Sequence, residues 1–394
     1  MRASLQLLPL APIGGLVAAL GQDPYTLPLA HLAGLALLFA LIRHSPDRTA
    51  SALRGFLFSL GYFGLTLAWL IHPFQVNAEA HGWLAPIALA LLVTGLAFLW
   101  SLTIWLSHNL TPDPTWRAFS TALLLTMTEM FREHLFTGFP WALPGYIWTD
   151  QPIGQAASLI GVHGLTALTL FVAALPFTGR RPIASLLLAA GLLAFLHTFG
   201  LMRLAAHPSD SANGIPVRIV QPNIPQEEKW PADFAARNRD RLFTPPLTPA
   251  TETDPALIIW PETAITWERL EASQTNLPAT TLPPNRQILT GIIRQDDHAV
   301  YNSALLHRPN TPITHIDKSR LVPFGEYIPL AGFLSRFGLG PLAVGDSSGF
   351  SRGDSSTLLT TAGIGPIRVL ICYAAIFPGL VRQQHRPIAL VQIT

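Results

Sequence analysis

The order of apolar and polar positions divides the chain near residue 206. Before that point, long apolar stretches at approximately 5–20, 27–42, 55–71, 84–106, 118–136, 153–177 and 183–202 are separated by short polar breaks. Crossing a bilayer as a helix takes about 20 predominantly apolar residues, so these stretches predict seven transmembrane spans, the first two short. After residue 206 the apolar runs shrink and become rich in β-branched side chains, at 217–220, 256–260, 287–293, 302–307, 367–371 and 388–393. Bounded by Pro, Gly, Asn and Ser, they predict short strands. Residues 232–242 read as a helix and the Pro/Thr-rich stretch 244–253 as a loop. Strands alternating with sparse helices predict a layered α/β domain rather than an all-β barrel.

Charge sharpens this division. Only 12% of the 394 residues are charged and 49% are hydrophobic, against about 25% charged in ordinary soluble proteins. Residues 1–206 hold 16 of the 48 Asp, Glu, Lys and Arg residues, which predicts a membrane domain over 1–206 and a water-soluble domain over 207–394, joined by the polar linker 209–214. With the N-terminus in the cytoplasm, Arg2, Arg43, Arg48, Arg54, Arg117, Arg180 and Arg181 all fall on the inner side, and before residue 200 only Arg132 falls on the outer. Lys and Arg collect on the cytoplasmic side of membrane proteins, so seven spans leave the soluble domain outside the cytoplasm. A net charge of +2 without a basic cluster gives no case for a nucleic-acid partner. A single cysteine excludes a disulfide within the chain and any zinc cluster of cysteines.

That cysteine, Cys372, ends the apolar run Val369-Leu370-Ile371 and is followed by a less regular stretch with Pro378 and Gly379. A buried strand that delivers its last side chain to a turn presents a nucleophile well, although a lone Cys on such a strand also serves as a small core residue. Two other segments offer partners. Glu262 follows the run Leu257-Ile258-Ile259-Trp260, which puts a carboxylate at a strand end, where a general base belongs. Lys318 is one of two lysines, with Lys229, among 25 basic residues, and a compact ammonium retained in an Arg-rich chain suits a point charge for an oxyanion. Ordinary solvated loop charges are the competing reading of both. In the membrane half, Glu129 and Arg132 fit an i, i+3 ion pair or a substrate contact, while His31, His163 and His197 are expected to be packed or paired.

Taken together, the motifs resemble a known family. They are Thr-Gly-Phe-Pro-Trp at 137–141 with Pro-Gly-Tyr at 144–146, Val-Gln-Pro-Asn-Ile-Pro-Gln at 220–226 with Lys229-Trp230, Trp-Pro-Glu-Thr-Ala at 260–264, Lys-Ser-Arg-Leu-Val-Pro-Phe-Gly-Glu-Tyr-Ile-Pro at 318–329, and Ile371-Cys372-Tyr373. The chain resembles the bacterial apolipoprotein N-acyltransferases, which join a polytopic membrane part to a nitrilase-like domain. The resemblance implies an α-β-β-α sandwich facing the periplasm from the inner membrane, with Glu262 as general base, Lys318 as transition-state stabiliser and Cys372 as nucleophile. It also implies that Glu326 supports these three and that Trp230 and Tyr373 lie near the acyl-donor pocket. The implied reaction moves an acyl chain from a phospholipid, typically phosphatidylethanolamine, through a Cys372 thioester to the N-terminal diacylglyceryl-cysteine of a lipoprotein. No cofactor or metal is implied. The apolar arm 330–342 would be a mobile cover touching lipid.

The sequence departs from the family pattern in two places. Ala374 stands where the family usually carries a carboxylate two residues after the nucleophile. The chain also ends at Thr394, where the family continues through further strands, helices and an eighth span, so an incomplete sandwich is expected. The alternative function is accordingly an inactive relative that binds lipid or lipoprotein without turnover. A nitrilase-type amidase acting on small soluble amides would keep the three site residues but leave the spans unexplained.

Overall fold

In the computed structural model, the described residues are 7–76, 78–135, 138–207, 214–247, 257–271, 286–297, 299–308, 311–323, 325–327, 349–354, 357–381 and 386–394. The chain divides into two units, Met1–Ser209 and Asp210–Thr394. The arm 330–342, Thr137 and Phe324 lie outside the described residues.

The apolar stretches of the first unit are helical: α1 (Leu10–Ala19), α2 (Pro28–Arg43), α3 (Arg48–Thr66), α4 (Leu84–Leu110), α5 (Pro114–Arg132), α6 (Ala157–Ala174) and α7 (Pro182–Ala206). Local chemistry sets their starts. Asp47 caps α3 by accepting from Ala50 N at 2.8 Å, and Asp113 caps α5 by accepting from Thr115 N at 2.9 Å. Proline opens α2, α5 and α7, where its missing N–H costs nothing. Gly15 lets α1 and α3 touch, because a Cβ there would lie 1.9 Å from the Phe58 carbonyl oxygen.

Among the described residues, three helical runs are by themselves long and apolar enough to cross a membrane: α4, Pro152–Phe177 and α7. A fourth is added if α3 and the bent continuation Ala68–Gln75, 45° apart, count as one. The others fall short for physical reasons. α1 and α2 have only 10 and 16 residues, and α5 carries Arg117, Glu129 and Arg132.

Those α5 charges are inside the unit. Glu129 and Arg132 are fully buried and paired, and the Trp100 indole N–H donates to Glu129 Oε1 at 2.6 Å. Trp100 itself stacks among Phe58, Tyr62 and Phe63. Arg132 also donates to the carbonyls of Phe139 and Trp141 at 2.6 and 2.7 Å. Further along the same non-helical stretch, Tyr62 donates to the Ala142 carbonyl at 2.9 Å and Gln22 to that of Leu143 at 3.0 Å. Irregular backbone inside an apolar bundle requires such partners for its carbonyls.

The histidines divide between buried and exposed positions. His31 is buried on the Ala18 carbonyl and His163 pairs with Glu133, but His197 is exposed on α7 rather than packed.

The second unit contains β1 (Val217–Ile219), α8 (Ala235–Leu247), β2 (Leu257–Ile259), β3 (Ile265–Glu271), β4 (Gln287–Gln295), β5 (Val300–His307), β6 (Thr314–Asp317), β7 (Leu359–Thr361), β8 (Gly365–Ile371) and β9 (Ala389–Ile393). One sheet runs β1-β2-β4-β5-β6, with β3 also on β4; β1, β2 and β4 are parallel and β5 and β6 antiparallel. The other sheet is β7-β8-β9.

Strand side chains alternate between faces, and both faces of the larger sheet are covered. Leu257, Ile259, Leu289, Leu306 and Ile316 share a core with Ile367, Val369, Ile371 and Ile393 of the smaller sheet. Ile258, Trp260, Ile288 and Leu305 form a second core with Leu242 and Phe243 of α8. Helix, sheet and sheet are thus stacked in layers, as a layered α/β domain requires. The helix lies over 235–247 rather than 232–242, and β3, β6 and β7 fall where the pattern predicted no strand. β6 reads Thr-His-Ile-Asp and buries only Ile316 fully, so its apolar signal is a single residue.

Candidate active site

Three chain reversals at strand ends build the site. β8 stops at Ile371, and Cys372 opens a short 3-10 turn, Cys372–Ile376, with φ of 44°. A left-handed backbone at a residue other than glycine is uncommon and carries strain, and here it re-aims the thiol as the strand ends. β8 is itself fixed on one side by β9 in parallel register, Ile371 opposite Ile393, and on the other by β7.

Glu262 lies in the turn after β2. Trp260 N donates to the Leu289 carbonyl at 2.8 Å, Gly291 N donates to the Pro261 carbonyl at 3.1 Å, and Thr263 takes φ of 43°. The turn presses onto β4 at Gly291, where a Cβ would stand 2.2 Å from Thr263 N and 2.6 Å from Glu262 Cα. Only glycine admits that approach.

Lys318 follows β6. Its N–H donates to the Asn302 carbonyl at 2.8 Å, its carbonyl accepts from Gly353 N at 3.0 Å, and its side chain is buried.

From these bases the side chains converge. Lys318 Nζ donates to Glu262 Oε1 at 3.2 Å and to Glu326 Oε1 at 2.8 Å. Glu326 is steadied by Val322 N, which donates to its Oε2 at 2.9 Å. Buried Asn302 bridges both carboxylates, with Nδ2 2.6 Å from Glu262 Oε1 and 3.3 Å from Glu326 Oε1. Burial works to lower the Lys318 ammonium, but the two carboxylates outweigh it and hold its pKa above the ordinary lysine value. Burial pushes the Cys372 thiol up, the Glu262 charge adds to that, and Lys318 opposes it. The arrangement has the parts for nucleophilic acyl chemistry, with a thiol against a carboxylate that can take its proton and an ammonium beside both.

The sequence profile of the apolipoprotein N-acyltransferase N-terminal domain matches residues 14–175. Apolipoprotein N-acyltransferase of Caulobacter vibrioides is 34% identical over 98% of this chain and 76% of its own length. Those of Rhodopseudomonas palustris and Allorhizobium ampelinum are 33% and 34% identical, over 84% and 94% of this chain and 65% and 74% of theirs. The chain belongs to the apolipoprotein N-acyltransferase family. A solved CN-hydrolase superfamily protein from Xanthomonas campestris aligns over 45% of this chain and 61% of its own at 18% identity, with a TM-score of 0.27, too low to carry an argument.

Four of the six residues singled out in the sequence, Glu262, Lys318, Glu326 and Cys372, meet in one cluster. The other two are set differently. Tyr373 is buried, edge-on to Phe377 at 5.2 Å, whereas Trp230 is half exposed, with the Lys229 ammonium 5.9 Å from its ring centre. Ala374 is buried in the turn after the thiol.

Two site groups escaped the sequence reading. Asn302 sits on β5 among small and apolar residues, and its signal is a buried amide in register beside Asp317 and Lys318. Lys229 ends the helical turn Gln226–Lys229, and its Nζ donates to the Glu262 carbonyl at 3.2 Å. Its rarity was a usable signal, because the chain's two lysines both come to this site.

Proposed function

We propose that this chain N-acylates the diacylglyceryl-cysteine of apolipoproteins, taking the acyl chain from a phospholipid such as phosphatidylethanolamine. The observation that carries the reading is the meeting of Cys372, Glu262 and Lys318 in a chain of this family. Glu262 accepts the thiol proton, and the thiolate attacks the ester carbonyl of the donor. Lys318 Nζ stands beside the developing oxyanion. As the tetrahedral intermediate collapses, the proton on Glu262 passes to the departing alkoxide, leaving a lysophospholipid and a Cys372 thioester. The lipoprotein α-amine then attacks the thioester and gives its extra proton to Glu262, which returns it to the departing thiolate. Glu326 and Asn302 hold Lys318 and Glu262 in place throughout.

Residues 1–206 serve as the membrane domain and 207–394 as the catalytic domain, held in the periplasm at the inner-membrane surface. Both substrates keep their tails in the bilayer, which gives the apolar helices a purpose beyond anchoring. The arginine asymmetry supports this orientation. Trp230, on the exposed side of the cluster, is the residue best set to meet the donor.

Membranes carrying the protein are incubated with an alkyne-labelled phospholipid and probed for a hydroxylamine-sensitive label. The label appears in the wild type and is lost in Cys372→Ala. A label that persists in Cys372→Ala would place the nucleophile elsewhere.

A further inference from the structure

Lys229 has no role in the mechanism above, yet it lies inside the electrostatic field of the site. It interacts with both Glu262 and Cys372, donates to the Glu262 carbonyl at 3.2 Å, and is partly buried beside the half-exposed Trp230. The charged groups around the thiol come from four separate pieces of chain. Glu262 comes from the turn after β2, Lys318 from the end of β6, Glu326 from the stretch that follows it, and Lys229 from the turn before α8. The two carboxylates already share one ammonium, Lys318. Counting that ammonium alone, the cluster is negative before the thiol ionises, and a thiolate would make it more so. With Lys229 included, beside Glu262, the two carboxylates are matched by two ammoniums and the thiolate adds the only net charge.

We propose that Lys229 is the second cation of the site, a positioning residue that offsets the carboxylate pair so that the Cys372 thiol can ionise, and that it acts through its charge rather than through the hydrogen bond it makes. Burial lowers the Lys229 ammonium below its ordinary value, while Glu262 and Cys372 pull the other way, as expected of a cation retained for its anionic neighbours. The inference rests on Cys372 being the nucleophile, but its test needs no lipid.

Cys372 is the only cysteine, so iodoacetamide alkylation of the full chain in detergent reads this thiol alone. The rate is followed against pH in the wild type and in three variants. Lys229→Arg keeps the charge, Lys229→Gln keeps a donor for the Glu262 carbonyl without the charge, and Lys229→Met keeps neither. An opposite charge a few ångströms away moves a pKa by about one unit or more, so the Gln and Met profiles should both move to higher pH by about one unit, slowing alkylation about tenfold at neutral pH. The Arg profile should stay with the wild type. A Gln profile that overlays the wild type while Met moves would assign the effect to the hydrogen bond and overturn the proposal. Four superimposed profiles would also overturn it, leaving thioester formation at Cys372 untouched. Should Lys229→Met fail to fold, the Gln and Arg variants decide between charge and hydrogen bond by themselves.

Discussion

Asn302 is the residue on which the two carboxylates depend in common. Its amide spans Glu262 and Glu326 while its backbone carbonyl takes the Lys318 N–H, so one side chain sets where base and cation stand relative to each other. Asn302→Ala should leave the carboxylates to repel each other across Lys318 and lower the rate of thioester formation by about 10²-fold, the usual cost of a misplacement near 1 Å. The measurement is single-turnover labelling from a phospholipid, with donor binding followed separately and expected to change little. Glu262 and Cys372 were legible in the sequence because a carboxylate and a thiol stood at the ends of apolar runs, Lys318 because lysine is rare in the chain, and Glu326 only through the family resemblance. Asn302 was not, since an amide at the edge of an apolar run reads as a strand boundary, and its importance comes from what lies opposite it on β6.

Among the elements, the turn after β2 and the helix α5 show why patterning locates a segment without locating its partners. Gly291 is one glycine in a strand by sequence, but in space it is the floor on which the Glu262 turn rests. Gly291→Ala should push that turn off β4, lowering activity more than stability, as comparison of kcat with Tm would reveal. α5 reads as a span from its apolar length, yet its charges are held internally. Removing one partner of a buried pair costs about 3–5 kcal/mol, so Arg132→Met should strongly destabilise the helical unit, whereas Glu129→Gln with Arg132→Met should recover part of the loss. Chemical denaturation in detergent micelles measures both. β6 and β7, of four and three residues, went unseen because short strands fixed by their neighbours carry little alternation of their own, and β3 because Glu268, Arg269 and Glu271 break its apolar run.

At the scale of the whole molecule, the division near residue 206 was legible from the pattern of apolar stretches and the placement of charge, while α1, α2 and α5 join the bundle as helices through packing rather than through length and hydropathy. Orientation is checked with reporters. Alkaline phosphatase fused after Thr394 should be active and a cytoplasm-only reporter silent. Stability against pH follows from His307, which is buried and whose imidazole burial holds below its ordinary value. A lowered histidine favours the fold while neutral, so its contribution is intact above the ordinary value of about 6.5 and is lost as pH falls through the lowered one. Acidification should therefore lower the Tm of the second unit, and His307→Gln should flatten that slope.

Between α5 and α6 the stretch 138–148 lacks a long helix, so its dihedral angles alone would place it among the mobile parts of the protein. Its carbonyls are nevertheless held by Arg132, Tyr62 and Gln22, and its C-terminal end by Thr166 and Thr169, which accept from Gly145 N and the Trp148 indole. A segment tied to three helices and to the loop between α1 and α2 can release its amides only when those elements part. Hydrogen–deuterium exchange in micelles should therefore find this stretch exchanging as slowly as the bundle core, with protection that collapses along its whole length when Tyr62→Phe and Gln22→Ala are combined.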